Sequence, residues 1–261
     1  MKKDLIHFVR WEKVPEEQVE PVMESLPRWG VSDIVASPFW FRETGENYVA
    51  KMAKLMERCG LRSSACHALW NIGNDCIQPD EESWQTMIRR HTLFLDQLSC
   101  LNVTTYTMHL GYDDATGNLE KDFAMVRKTV DALLPVLERH RVTLALENSA
   151  EPLYVIEKLA ETVRDYRSEW VGMCFDNGHA NCYQKGVEKT LRIMSDGIVT
   201  CHLHDNFGEH DDHNPPGDGN VDWKRLTALL DGLPRLHHAE TESGDWSQDS
   251  WNRFRSATAS V

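Results

Sequence analysis

The sequence predicts a single closed (β/α)8 barrel spanning residues 1–261. Three observations carry that expectation: eight short apolar runs, amphipathic stretches between them, and a length of 261 residues. That length suits one α/β barrel at least as well as two small domains. The runs are LIHFV (5–9), VSDIVAS (31–37), LRSSACH (61–67), VTTYTMH (103–109), VTLALE (142–147), VGMCFD (171–176), IVTCHLH (198–204) and LHHAETE (236–242). Several are too short for helices, and most are rich in β-branched or other apolar residues. Strands alternating with helices make a parallel sheet. A doubly wound open sheet is the rival arrangement. The chain has no GxGxxG after its first strand and no GxxxxGK[ST], which weakens the nucleotide-binding versions of that rival.

The helical expectations follow the same order. Segment 80–100 opens with acids in its first turn and repeats Trp84, Met87, Ile88, Phe94, Leu95 and Leu98 at the spacing of one buried face. Segment 119–140 does so with Phe123, Val126, Val130, Leu133 and Leu137, and Pro135 is a potential kink. Shorter helices are expected at 15–28, 46–59, 152–167, 186–195 and 222–232.

Twenty-eight basic against 41 acidic residues give a net charge of −13. Such a balance repels phosphate backbones, and no basic run exceeds a pair, so nucleic acid is not an expected partner. The N-terminal segment lacks an apolar h-region, and no stretch approaches the roughly 20 apolar residues of a membrane span. Seven scattered cysteines without a CxxC pair read as reduced, mostly buried thiols in a cytoplasmic protein.

Polar residues mark the C-terminal ends of six consecutive runs: His67, His109, Glu147, Asp176, His202 and Glu240. In a barrel these ends converge on one mouth, where such folds keep their chemistry. Singly, each reads equally as a loop or capping residue, and Asp176 in FDNGHA has the position of a helix cap. Glu147 in LALEN is harder to place that way, because an unpartnered buried acid costs several kcal/mol. A shared divalent cation removes that cost. Asp176 and His179 form D-x-x-H, and His202 and His204 share a strand face. Asp211 and His213 precede NPPGDG, a turn able to fold the loop over the mouth. Glu242 shares the Glu240 face by alternation and is the fallback strand-8 ligand. His7, His91, His140 and His237 read as structural or exposed, and His210 and Asp212 as solvated. Trp11, Trp40, Phe41 and Trp70 read either as an apolar wall for a substrate or as packing under the loops.

The stretches HALWNIG, MHLGY, LALEN, FDNGHA, HLHDN, DDHNPPGDGNVDW and AETE resemble the xylose-isomerase-like TIM barrel superfamily over about residues 60–245. That superfamily includes sugar-phosphate isomerases and epimerases, ketose 3-epimerases and endonuclease IV-type AP endonucleases. The resemblance to the epimerase branch implies one divalent ion (Zn, Mn, Co or Mg) held by Glu147, Asp176, His202 and Glu240. It implies proton abstraction beside a sugar carbonyl through a metal-stabilised enediolate, with Glu147 and Glu240 as the acid–base pair. His67, His109, His179, Asp211, His213 and Trp70 would then bind substrate or orient ligands. The endonuclease branch implies up to three zinc ions on His67, His109, Glu147, Asp176, His179, His202, Asp211, His213 and Glu240. A non-catalytic sugar-binding barrel is a third reading. The epimerases carry an Arg shortly after the strand-7 His, whereas DNFGEHDDH has none. The leading expectation is a metal-dependent isomerase or epimerase acting on a small sugar or sugar phosphate, with homo-oligomerisation left open.

Overall fold

The computed structural model describes residues 1–71, 73–111 and 115–259; Ile72 of HALWNIG and Tyr112 of MHLGY lie outside them. Eight strands form one parallel sheet: β1 (Asp4–Ile6), β2 (Asp33–Ala36), β3 (Arg62–His67), β4 (Thr105–Met108), β5 (Thr143–Glu147), β6 (Val171–Asp176), β7 (Ile198–Leu203) and β8 (His238–Thr241). Their order is β1-β8-β7-β6-β5-β4-β3-β2. A parallel bridge between His7 and Ile34 brings the β1 edge to the β2 edge. The barrel is therefore closed, and the open-sheet rival is excluded. Every residue of β2 and of β4 through β8 is buried, because helices cover the outside while side chains fill the inside.

The helices are α1 (Val19–Ser25), α2 (Tyr48–Cys59), α3 (Glu81–Leu98), α4 (Leu119–His140), α5 (Leu153–Tyr166), α6 (Asn177–Cys182), α7 (Val187–Met194), α8 (Trp223–Leu230) and α9 (Gln248–Thr258). Local chemistry sets many of their starts. Asn47, Asp80, Asn118, Asp222 and Ser247 each accept a hydrogen bond from the backbone N–H three residues on. The 15–28 segment divides into short 3-10 turns flanking α1. Pro135 sits inside α4, which continues to His140. Two helices, α6 and α9, have no counterpart among the sequence expectations. The NGHANC segment of α6 has too few apolar residues to show a period. Its start is set by Asp176, which accepts from His179 N.

The tryptophan wall is largely a matter of packing. Trp11, Trp40 and Phe41 are buried in the main core, with the Trp11 and Trp40 rings 5.7 Å apart. Only Trp70 of the four lines the cavity at the mouth. All seven cysteines are free, and Cys66, Cys76, Cys174, Cys182 and Cys201 are buried. Among the described residues no helix is long and apolar enough to cross a membrane.

The long loop after β7 is held by one buried carboxylate. Asp205 accepts from Gly217 N (2.8 Å), Trp223 Nε1 (2.9 Å), Asn206 N (3.0 Å) and Val221 N (3.1 Å). Its backbone also bridges to Asn214 in both directions. This clasp returns the NPPGDG turn to the barrel and so fixes the approach of Asp211 and His213. Replacing Asp205 with Ala orphans several donors, each worth about 1–3 kcal/mol when buried. The expected outcome is a loss of about 3 kcal/mol, read as a lower midpoint of denaturant unfolding. An unchanged midpoint would dismiss the clasp.

Candidate metal centre

Four imidazoles converge on Glu147, the last residue of β5. His109 Nε2 lies 3.3 Å and His67 Nε2 3.8 Å from its Oε2. His179 Nδ1 and His202 Nδ1 each lie 3.3 Å from its Oε1. The four histidines come from β3, the residue after β4, α6 and β7. Parallel strands of similar register deliver them to one level, and Glu147 itself is 1% exposed.

Around this carboxylate the potential donors sort into overlapping groups, each with its ligand atoms within 4.8 Å of one another. His67, His109 and Glu147 form one. Glu147, Asp176, His202 and Glu242 form a second. His179, His204, Asp211 and His213 form a third. Glu147 belongs to the first two. Asp176 both caps α6 and points into the cluster: its Oδ1 accepts from His179 N at 2.6 Å, and its Oδ2 accepts no hydrogen bond from the described residues. A carboxylate has two oxygens, so capping and ligating are compatible.

All ten positions that the sequence singled out for the site lie at the mouth or directly beneath it. Glu240 is the one potential donor among them that joins none of the groups found among the described residues. It sits deeper in the barrel, where its Oε1 accepts from Thr200 Oγ1 at 2.6 Å. Glu242 stands at ligand level, with Oε2 2.9 Å from His202 Nδ1. Trp70 lines the cavity rather than the donor cluster.

Three further residues enter the picture. His204 is fully buried, stacks on His213 with centroids 4.1 Å apart, and places Nε2 3.1 Å from Asp176 Oδ1. Its sequence signal was alternation with His202, and Gly178 makes room for it, since a Cβ there would come within 1.9 Å of the His204 ring. Cys174 groups with Glu147 and His202, but within an apolar strand it reads as core. Glu151 lines the cavity with Oε2 accepting from Ser149 N at 2.7 Å and Oε1 accepting no hydrogen bond from the described residues.

Electrostatics in the metal-free protein reflect this crowding. Burial acts to raise the Glu147 carboxyl, yet His202 and His109 hold it well below the usual carboxylate range. Burial likewise opposes the charged forms of His179 and His202. Their neighbouring acids nevertheless lift both well above 6.5, led by Asp176 for His179 and by Cys174, Glu242 and Glu147 for His202. For His213 burial again acts downward, while Asp211 and Glu242 bring it up to about 9. Burial alone dominates at Glu151, which rises to about 7. Histidines and carboxylates at this mouth thus favour one another's charged forms.

The residues fit a divalent cation. Neutral imidazole and carboxylate are the usual ligands of zinc, manganese and cobalt. Glu147 Oε2, Asp176 Oδ2 and Asp211 Oδ1 are buried and accept no well-formed hydrogen bond from the described residues, so a cation could take up their remaining acceptor capacity. Above them opens a cavity of about 730 Å³. Its rim includes Phe8, Phe39, Trp70 and Tyr183, and Arg10 is the one Lys or Arg lining it among the described residues.

The xylose isomerase-like TIM barrel family model matches residues 16–252. The uncharacterised protein y4fM of Sinorhizobium fredii is 26% identical over 142 residues, covering 52% of this chain and 46% of the relative. MJ1311 of Methanocaldococcus jannaschii is 33% identical over 108 residues, covering 39% and 37%. The matches thus span less than half the length of these relatives. Among solved structures, D-psicose 3-epimerase with D-tagatose from Clostridium cellulolyticum has a TM-score of 0.78 at 13% identity, covering 99% of this chain and 100% of that one. The TTHB071 protein from Thermus thermophilus, soaked with ZnCl2, has a TM-score of 0.70 at 21% identity, covering 97% of both. These likenesses show the same barrel. With the family model matching most of its length, the chain belongs to the xylose isomerase-like TIM barrel family.

Proposed function

We propose that the protein is a divalent-metal-dependent hydrolase of small phosphoesters that holds up to three ions. One observation carries the proposal: His67/His109/Glu147, Glu147/Asp176/His202/Glu242 and His179/Asp211/His213, the last with His204 beside it, lie side by side, the first two sharing Glu147. A one-ion isomerase has no need of the first and third groups at ligand distance. The endonuclease IV-type members of the superfamily, as the sequence resemblance implied, use a set of this kind, and the structural neighbour soaked with ZnCl2 makes zinc a natural first ion to test.

When bound, divalent cations there supply positive charge to phosphoryl oxygens and acidify water. The chain's own residues do the rest. Glu147 ties two groups into one rigid unit. The aromatic rim of Phe39, Trp70 and Tyr183 takes the organic portion of the substrate and shields the centre from solvent. Glu151, held at about 7, carries a proton near neutral pH and gives it to the departing oxygen. A net charge of −13, with Arg10 the single cavity-lining Arg among the described residues, supports a small substrate over a nucleic acid polymer. Seven unpaired cysteines suit a reducing, cytoplasmic compartment.

A specific observation favours a second reading. Glu147, Asp176, His202 and Glu242 alone reproduce a four-donor set of the Glu/Asp/His/Glu type, and epimerases stand among the structural neighbours. Under that reading Glu147 and Glu242 exchange a proton with a carbon beside a sugar carbonyl. Glu242 replaces Glu240 as the strand-8 member of the pair.

Elemental analysis and turnover separate the two. The hydrolase reading expects close to three ions per chain and cleavage of bis(p-nitrophenyl) phosphate. Glu147→Gln is expected to lower that turnover on the order of 10³-fold and to reduce the ion count. One ion per chain, with solvent deuterium entering ketoses and no phosphoester cleavage, would replace it with the isomerase reading.

A pH prediction follows from proton–metal competition. In the metal-free protein, histidine pKa values raised by folding add stability that is present below about 6.5. That increment is lost as pH climbs through the folded value, about 9 for His213. Metal ligation needs neutral imidazole, so it tightens over the same range. Thermal stability with EDTA should fall from about pH 6.5 to about pH 9, while the gain on adding zinc should grow. A zinc-induced gain that shrinks across that window would contradict the assignment of these histidines as ligands.

A further inference from the structure

The barrel interior beneath the metal centre is polar, which is unusual for a layer normally filled by branched apolar side chains. On β8 the inward positions are His238, Glu240 and, just past the strand, Glu242. On β7 they are Thr200 and His202. The strands pair so that His202 is in register with Glu240. Thr200 Oγ1 donates to Glu240 Oε1 at 2.6 Å, and His238 Nε2 lies 3.6 Å from the same oxygen. His238 Nε2 is in turn 2.9 Å from Thr105 Oγ1. Glu240 Oε2 faces upward and lies 3.5 Å from His202 Nε2. The carboxylate is 1% exposed, so its cost has to be offset by what it contacts.

His202 has its two ring nitrogens in different company. Nδ1 faces the donor cluster, 2.9 Å from Glu242 Oε2 and 3.3 Å from Glu147 Oε1. Nε2 faces down to Glu240. If Nδ1 ligates through its lone pair, the neutral ring carries its hydrogen on Nε2. A carboxylate below Nε2 accepts that hydrogen, sets the ring plane and makes Nδ1 more basic.

We propose that Glu240 is a positioning residue that fixes the tautomer and orientation of His202 from inside the barrel, and so sets the affinity of the Glu147/Asp176/His202/Glu242 site. This rests on the metal-binding reading above. Thr200 and the His238–Thr105 pair hold Glu240 in turn. A carboxylate outside the donor groups, in contact with His202 Nε2, acts on the metal through His202. Its removal affects the second donor group and leaves His179/Asp211/His213, on α6 and the β7 loop, unaltered.

Zinc titration against a competing chelator, together with long-range ¹H–¹⁵N spectra of the zinc-loaded protein, tests this. Wild type is expected to show His202 protonated on Nε2, with a hydrogen-bonded proton. Glu240→Gln should weaken one zinc affinity about 10-fold and shift that signal, and Glu240→Leu should weaken it toward about 100-fold. The His179/Asp211/His213 affinity should not change. Thr200→Val, which keeps the carboxylate but frees its lower oxygen, should fall between wild type and Glu240→Gln and guards against a Leu variant that fails to fold. Equal zinc affinities and an unchanged His202 signal in Glu240→Gln would overturn this inference alone. A wild-type protein that takes up no zinc would overturn the metal reading, and this inference with it.

Discussion

The structure turns on the burial of one carboxylate among imidazoles. Glu147 is removed from water at the end of β5, and four histidines from four different elements reach its two oxygens. A buried carboxylate is tolerated only when paired, so the mouth of the barrel cannot be apolar. His67 and His109 approach Oε2 while His179 and His202 approach Oε1, which leaves Glu147 as the link between neighbouring donor groups. Removing any one imidazole leaves the others crowding the same acid. The site therefore behaves as a single electrostatic unit rather than a set of independent residues.

Supporting structure surrounds that unit in layers. Above it, the Asp205 clasp brings the β7 loop back so that Asp211 and His213 close one side. Beside it, Gly178 leaves room for the His204 ring, which stacks on His213. Below it, Glu240 and Thr200 fill a level of the barrel with polar contacts. Each layer buries polar groups that a plain apolar core would avoid. Conformational precision at a ligand cluster is the physical gain, because ligand atoms misplaced by about half an ångström lose affinity.

The metal-free charge balance also explains why the fold accepts so many acids at one point. The acids at the mouth favour the protonated forms of His179, His202 and His213, and the imidazoles in turn favour the charged forms of Glu147, Asp211 and Glu242. On the proposed metal-binding reading, the reaction class turns on the number of ions held, since one suits a proton transfer beside a carbonyl and three suit displacement at phosphorus.

Much of this was legible in the chain itself. Short runs rich in apolar residues marked all eight strands to within a few residues, because a strand buried on both faces is mostly apolar. The polar residue ending each run marked the mouth because six of them recur at the spacing of one βα repeat, although each alone could be a cap, as Asp176 is for α6. Periodicity failed for α6, which is too short to show a period, and for the role of Cys174, which resembles core. Alternation placed Glu240 and Glu242 on one face but carried no information about depth. In the structure His202 is in register with Glu240, while the donor groups found among the described residues take in Glu242. The grouping of the donor side chains into overlapping sets was likewise a tertiary matter. Sequence spacing fixes which strand end a residue occupies, and only closure of the barrel fixes which ends meet.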